Sequence, residues 1–246
     1  MGSAVRQGTA PADRSWPRVV RPPLKWGRVV IVAPHPDDEV LGCGGTMARL
    51  AAEGLGASVV IATRGRSPRF SEAFVQEVRA EARLAHDALG VVETQYLDLP
   101  AAELDQVPAS ELNQVIGDAL VRLAPDTLLV PFIGDIHVDH QLVFNAAMVW
   151  ARPRSSAAPA RVLAYETLSE TNWWAPGITP AFTPNCFVDI SRELDAKVNA
   201  FTHFRSQVKP FPDERSIEAL RALALVRGAA VHRSAAEAFA TIRFIL

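Results

Sequence analysis

The sequence predicts an α/β protein built on a mainly parallel sheet, and three observations carry that prediction. The run Val29-Val30-Ile31-Val32-Ala33 is apolar without a break, as a strand covered on both faces must be. Further short β-branched runs follow it at intervals filled by helix-patterned segments. Strands that alternate with helices pair in parallel, because each helix supplies the right-handed crossover between them.

The elements follow in order. Strands are expected at 28–33, 57–62, 92–97 and 127–132, with helices at about 40–53, 71–89 and 109–123 between them. The second helix has the clearest signature: Phe74, Val78, Ala82, Ala85 and Leu89 form an apolar stripe, Ser71 fits the N-cap, and Gly90 fits the residue just past the end. A fourth helix is expected from near Asp139 to about Ala151, with Phe144, Ala147 and Ala151 on the face of His140. A surface loop at 153–159, a strand at 161–167 and a long loop through Trp173 and Trp174 come next, then a short strand at 187–190 and helices near 191–204 and 213–227. The segment 238–246 reads equally as strand or helix. Residues 1–26, rich in Pro, Arg, Gly and Ser, read as an N-terminal tail or strap, and 27–246 as one domain without internal repeats.

Composition narrows the class. A chain of 246 residues that is 49% hydrophobic can bury a substantial core. Its 25 basic and 27 acidic residues nearly cancel, which gives no electrostatic reason to expect nucleic acid or an anionic membrane as partner. No apolar run exceeds six residues, far short of the roughly 20 that span a bilayer. Cys43 and Cys186 suggest no disulfide framework, so a cytoplasmic protein is expected. The oligomeric state, a homo-oligomer included, is left open.

The chemistry-bearing residues fall in two clusters. His35, Asp37 and Asp38 crowd the turn after the first strand, where open α/β sheets place ligands. His137-Val138-Asp139-His140 follows the fourth strand. A tight turn brings His35 and Asp38 to one point, and His140 from the first turn of a helix completes a donor set suited to zinc with an open position. Asp37, beside Asp38, is then free to act as general base, and His137 to hydrogen-bond an oxyanion and protonate a leaving amine. Asp139 stands to orient His137 or to pair with it and raise its pKa. Alone, the first cluster also suits an acidic helix N-terminus, and the second a chance pair of histidines. Their placement at the ends of two strands of one sheet argues for a site.

These motifs, with Leu41-Gly42-Cys43-Gly44-Gly45, the stretch Tyr165 to Trp173, and Glu237-Ala238-Phe239, resemble the LmbE/PIG-L family of zinc-dependent N-deacetylases over about residues 28–246. The resemblance implies a Rossmann-like sheet with helices on both faces and a metal site at the C-terminal ends of its strands. It implies removal of acetyl from an N-acetylglucosamine-type sugar, so that the partner is a small amino-sugar substrate. Zinc, or another divalent metal, would sit on His35, Asp38 and His140. Asp37 would be the base, His137 the oxyanion stabiliser and acid, and Asp139 the partner of His137. The chain departs from the family pattern twice. Pro34 stands where many relatives pass from Ala to His directly, and Leu99-Pro100-Ala101-Ala102-Glu103 lacks the acidic residue of a Pro-Asp-Gly-like turn, leaving Asp98 or Glu103 to substitute.

Weaker candidates remain. Arg64, Arg66 and Arg69 follow the second strand and suit a phosphate or sugar clamp as well as a solvated loop. Trp173 and Trp174 suit either stacking on a sugar or packing of their own loop. Gly42, Gly44 and Gly45 fit close helix–sheet packing better than a dinucleotide loop. His86 reads as solvated or capping, and neither cysteine as a nucleophile. The competing functions are a metal-dependent hydrolase of another amide or ester bond, phosphoesters included, and a non-catalytic sugar-binding module. Asp37 and His137 argue against the last, since binding alone needs neither base nor acid.

Overall fold

Strand β1 (Val29–Ala33) is buried at every position because it lies inside the sheet with helices above and below. It pairs in parallel with β2 (Ser58–Arg64) on one side and β4 (Thr127–Pro131) on the other. Beyond these, β3 (Glu93–Pro100) joins β2 and β5 (Arg161–Tyr165) joins β4, both in parallel. β7 (Ala236–Phe244) runs antiparallel between β5 and β6 (Cys186–Asp189), giving the order β3-β2-β1-β4-β5-β7-β6. This computed structural model describes residues 21–154, 158–173 and 177–246; Trp174 lies outside them.

Alternation along β1 divides the core in two. Val29, Ile31 and Ala33 pack with α1 (Asp38–Ala52), α2 (Glu72–Leu89), α5 (Leu194–Thr202) and α6 (Ile217–Ala229). Val30 and Val32 pack with α3 (Ala109–Leu123) and α4 (Val138–Trp150) on the opposite face. The chain winds outward from β1 first through β2 and β3, then through β4 and β5. The crevice between the C-terminal ends of β1 and β4 is therefore the topological switch point of the sheet, where such folds bind ligands. Both motifs open onto it.

The caps of α2 form as its sequence requires: Ser71 Oγ accepts from Phe74 N–H at 3.2 Å, and Gly90 takes the left-handed conformation with φ 68°. The tight glycines of α1 serve packing. A Cβ on Gly45 would stand 2.6 Å from Ile190 Cδ1, and one on Gly42 would enter the Tyr165 ring. Several boundaries differ from expectation. α1 begins at Asp38 rather than near residue 40, β5 ends at Tyr165 rather than 167, and β3 continues to Pro100. α5 is confined to Leu194–Thr202 within the expected 191–204. α6 begins at Ile217, four residues late, because Ser216 Oγ caps Ala219 N–H at 3.1 Å. The ambiguous end is strand β7: Ala and Glu in it favour helix locally, and pairing on both edges overrides them.

Residues 21–26 lie against α1 and β7. Arg21 pairs with Glu193 at 2.8 Å, Leu24 N–H donates to Glu53 at 2.6 Å, and buried Trp26 meets Phe239 edge-on. Among the described residues no helix is long and apolar enough to cross a membrane.

Candidate metal centre and active site

At the end of β1 the chain is held to β2 by Thr63, whose N–H and Oγ1 both donate to Pro34 O, at 3.1 and 2.8 Å. Asp37 then adopts φ 119°, a conformation that non-glycine residues rarely hold without support. That support comes from Glu39, which accepts from Asp37 N–H at 3.2 Å. Glu39 is held in turn by His86 at 2.9 Å, and His86 by Thr94 Oγ1 at 2.8 Å. His86 is thus buried rather than solvated or capping, 3% exposed, and serves the active-site turn.

The turn delivers His35 and Asp38 to one point. Asp38 Oδ2 accepts from His35 N–H at 2.9 Å and stands 3.3 Å from His35 Nδ1. From α4, His140 Nε2 arrives 3.2 Å from the same oxygen, not aligned for a hydrogen bond. His140 Nε2 and Asp38 Oδ1 are both fully buried and lack any hydrogen-bond partner among the described residues. Buried polar atoms are rarely left so. A cation with His and carboxylate ligands would satisfy them, and donors of all three residues lie within 4.8 Å of one another. The residues present therefore fit a divalent metal. His35, His137 and Asp139 form a second, overlapping group by the same measure.

The remaining atoms of these histidines are held by carboxylates. His140 Nδ1 meets Asp135 Oδ2 at 2.8 Å, and Asp135 Oδ1 accepts from Thr171 Oγ1 at 2.6 Å. His35 Nε2 meets Asp139 Oδ2 at 3.0 Å. This corrects the expectation for Asp139: its carboxylate serves His35 and the Ala102 N–H, not His137. Only its backbone N–H reaches His137, donating to Nδ1 at 3.1 Å. The neutral His137 ring consequently carries its proton on Nε2.

Electrostatics follow from this burial. Burial by itself would push His35 down, but the hydrogen bonds to Asp139 and Asp38 outweigh it and carry the ring up to about 9. Burial also opposes ionised Asp38, yet the charge of His140, then the hydrogen bond and charge of His35, hold it well below the usual carboxylate range. Positive charge is demanded at this point, whether protons or a divalent cation supply it. Burial raises Asp37 to about 7, with Arg215 opposing and the charges of Asp38 and Glu39 adding to the rise. Burial and the nearby His35 push His137 down to about 4.

Arg215 was not foreseen. Its Nη1 lies 2.6 Å from Asp37 Oδ2, while Nε donates to Ser169 Oγ at 2.9 Å and Gln207 Oε1 accepts from Nη1 at 3.2 Å. Glu170 stands 3.7 Å from the same guanidinium and is raised by burial to about 7. Asp135 was missed as well, although it lies five residues before His140. Of the weaker candidates, Arg64 lines the cavity beside Asp37 but is paired with Glu72 at 2.5 Å. Arg69 is exposed and Trp173 is 56% exposed, and neither lines that cavity. Neither Asp98 nor Glu103 lines it either; Ala101 and Ala102 do.

The family model PIG-L, GlcNAc-PI de-N-acetylase, matches residues 30–151. The chain belongs to the PIG-L family. Among its relatives, the uncharacterized deacetylase YaiS of Escherichia coli (strain K12) is 26% identical over 67% of this chain and 83% of its own. A 1D-myo-inositol 2-acetamido-2-deoxy-alpha-D-glucopyranoside deacetylase of Nocardioides sp. is 42% identical over 31% of this chain, a match that spans only 24% of that protein. The conserved protein TT1542 from Thermus thermophilus superposes with a TM-score of 0.72 at 30% identity, covering 89% of this chain and 96% of that one.

Proposed function

We propose that this PIG-L protein is a zinc-dependent hydrolase that removes the N-acetyl group from a 2-acetamido sugar or sugar conjugate. The observation that carries the reading is the convergence of His35, Asp38 and His140 on one buried point beside Asp37, at the wall of an open cavity of about 290 Å³. Relatives named as deacetylases of an acetamido sugar support the choice of bond. Two free cysteines fit a reducing cytoplasm.

A divalent metal on His35, Asp38 and His140 would polarise the amide carbonyl and acidify the attacking water. Asp37 takes the water's proton as its oxygen bonds to the carbonyl carbon. His137, neutral and with its proton on Nε2, donates a hydrogen bond to the oxyanion that develops. Asp37 then returns the proton to the sugar nitrogen, the C–N bond breaks, and acetate and the free amine leave. A ring held near 4 has little proton to give at neutral pH, so the role of acid moves from His137 to Asp37. Asp135 and Asp139 fix the rings of His140 and His35 and keep the metal-facing nitrogens turned inward.

The direct test is acetate release from N-acetylglucosamine conjugates by metal-stripped protein, before and after zinc is restored. Zinc-dependent release is expected; release unaffected by stripping, or release of phosphate from phosphorylated sugars instead, would overturn the reading. Two further results are expected. Asp135→Ala should weaken zinc binding about 10–100-fold, measured by competition with a chelator, and unchanged affinity would remove Asp135 from the metal's support. The pH profile of kcat/KM should show an acidic limb. A base works only when ionised, so activity is present above the Asp37 pKa and lost as pH falls through it. That midpoint is at or below about 7, because added metal charge moves it downward. A profile flat down to pH about 4 would exclude Asp37 as the base.

A further inference from the structure

The lining of the cavity beside Asp37 includes two unlike groups of residues. One is polar, made by His35, Asp37, Glu170 and Arg215. The other is Phe70, Phe74, Val75 and Val78, from the loop after β2 and the first turns of α2. The rings of Phe70 and Phe74 lie nearly parallel, 6.1 Å between centroids and 14° between planes. Gly65 admits Phe70 to this position, since a Cβ there would stand 2.7 Å from the ring. Val75 and Val78 are buried, whereas the two rings remain partly exposed, and all four line the cavity.

Among the described residues, every arginine on the cavity wall is already engaged. Arg64 pairs with Glu72, Arg79 with Asp98 while lying over Tyr96 at 4.5 Å, and Arg215 with Asp37. Among the described residues no lysine lines the cavity, and its lining includes the methyl groups of Ala101 and Ala102. A phosphate or carboxylate carried against the apolar group would lose water and find no spare cation, and a polyol would lose hydrogen bonds that the phenyl rings cannot replace. An apolar group would gain by burial and by stacking on the rings.

We propose that Phe70, Phe74, Val75 and Val78 form an aglycone subsite, so that the substrate is a 2-acetamido sugar joined to a neutral apolar group, aromatic or alkyl. The proposal rests on the deacetylase reading for the sugar. The apolar lining itself is a property of the cavity and can be tested without turnover.

The probes are the phenyl and methyl 2-acetamido-2-deoxyglucopyranosides, both anomers of each. Binding is measured by calorimetry and acetate release is followed in parallel, with wild type, Phe74→Ala and Phe74→Leu. Wild type should bind the phenyl glycoside about tenfold or more tightly than the methyl one. Phe74→Ala should bring that ratio close to one by weakening the phenyl glycoside far more than the methyl one. Equal binding of both glycosides by wild type overturns the proposal even where acetate is released. Equal weakening of both by Phe74→Ala also overturns it, because the ring would then serve the sugar. Phenyl-selective binding without acetate release supports the subsite and instead refutes the deacetylase reading. Should Phe74→Ala fail to fold, Phe74→Leu and the wild-type comparison still decide.

Discussion

Replacement of Asp37 by Asn is expected to lower acetate release by about 10²–10⁴-fold with the zinc content unchanged. Asn has nearly the same size and tolerates the left-handed backbone at φ 119°, so the turn that carries Asp38 should persist. Its amide oxygen can still accept from Arg215, which is also held by Ser169 and Gln207. What Asn loses is the capacity to take a proton. The measurement is kcat on an acetamido sugar beside elemental analysis of bound metal. Activity within about tenfold of wild type in zinc-loaded protein would exclude Asp37 as the base. Loss of zinc together with activity would show instead that the residue maintains the metal's surroundings.

Replacement of Glu237 by Gln is expected to cost about 3–5 kcal/mol of stability, because it strands a buried ammonium. Lys197 Nζ donates to Glu237 at 2.6 Å and to Leu41 O at 2.8 Å, with both side chains nearly inaccessible. Glu237 also accepts from Gly45 N–H and Thr46 N–H, each at 2.7 Å, and from Thr46 Oγ1. The pair is thus wedged between α1, α5 and β7, and Gly44 leaves room for the lysine stem. At roughly 2–4 °C per kcal/mol for a protein of this size, the melting temperature should fall by about 6–20 °C. Adding Lys197→Met should recover much of the loss, since an apolar stem needs no counter-charge. A single-variant loss under about 1 kcal/mol in thermal or urea unfolding would show that water reaches the pair.

Much of the fold and part of the site were legible because they are written locally. The first strand, the caps of α2 and the two histidine motifs each occupy a short window, and parallel topology follows from their alternation. That His35, Asp38 and His140 converge could be expected from strand ends meeting at one edge. The rest depends on partners distant in sequence. Arg215 reaches Asp37 across 178 residues, and no local pattern marks an arginine before a helix as the neighbour of a buried carboxylate. His86 sat at the border of an apolar stripe, where half a turn of rotation separates solvent from core, and only β3 and Glu39 decide which. Asp139 was assigned to the nearer histidine in sequence, whereas the helix turns its carboxylate toward His35, 104 residues away. β7 is a strand by virtue of two neighbours, not of its own composition.

Arg215 has one more consequence. The three proposed metal ligands and Asp37 all fall within the stretch that matches the family, residues 30–151, whereas the cation that opposes protonation of Asp37 comes from beyond it. The proposed ligand set thus lies inside that stretch, while one of the charges acting on Asp37, that of Arg215, lies outside it. On the proposed mechanism, substitutions around Gln207 and Arg215 would shift the acid limit of activity while leaving the proposed metal ligands unchanged.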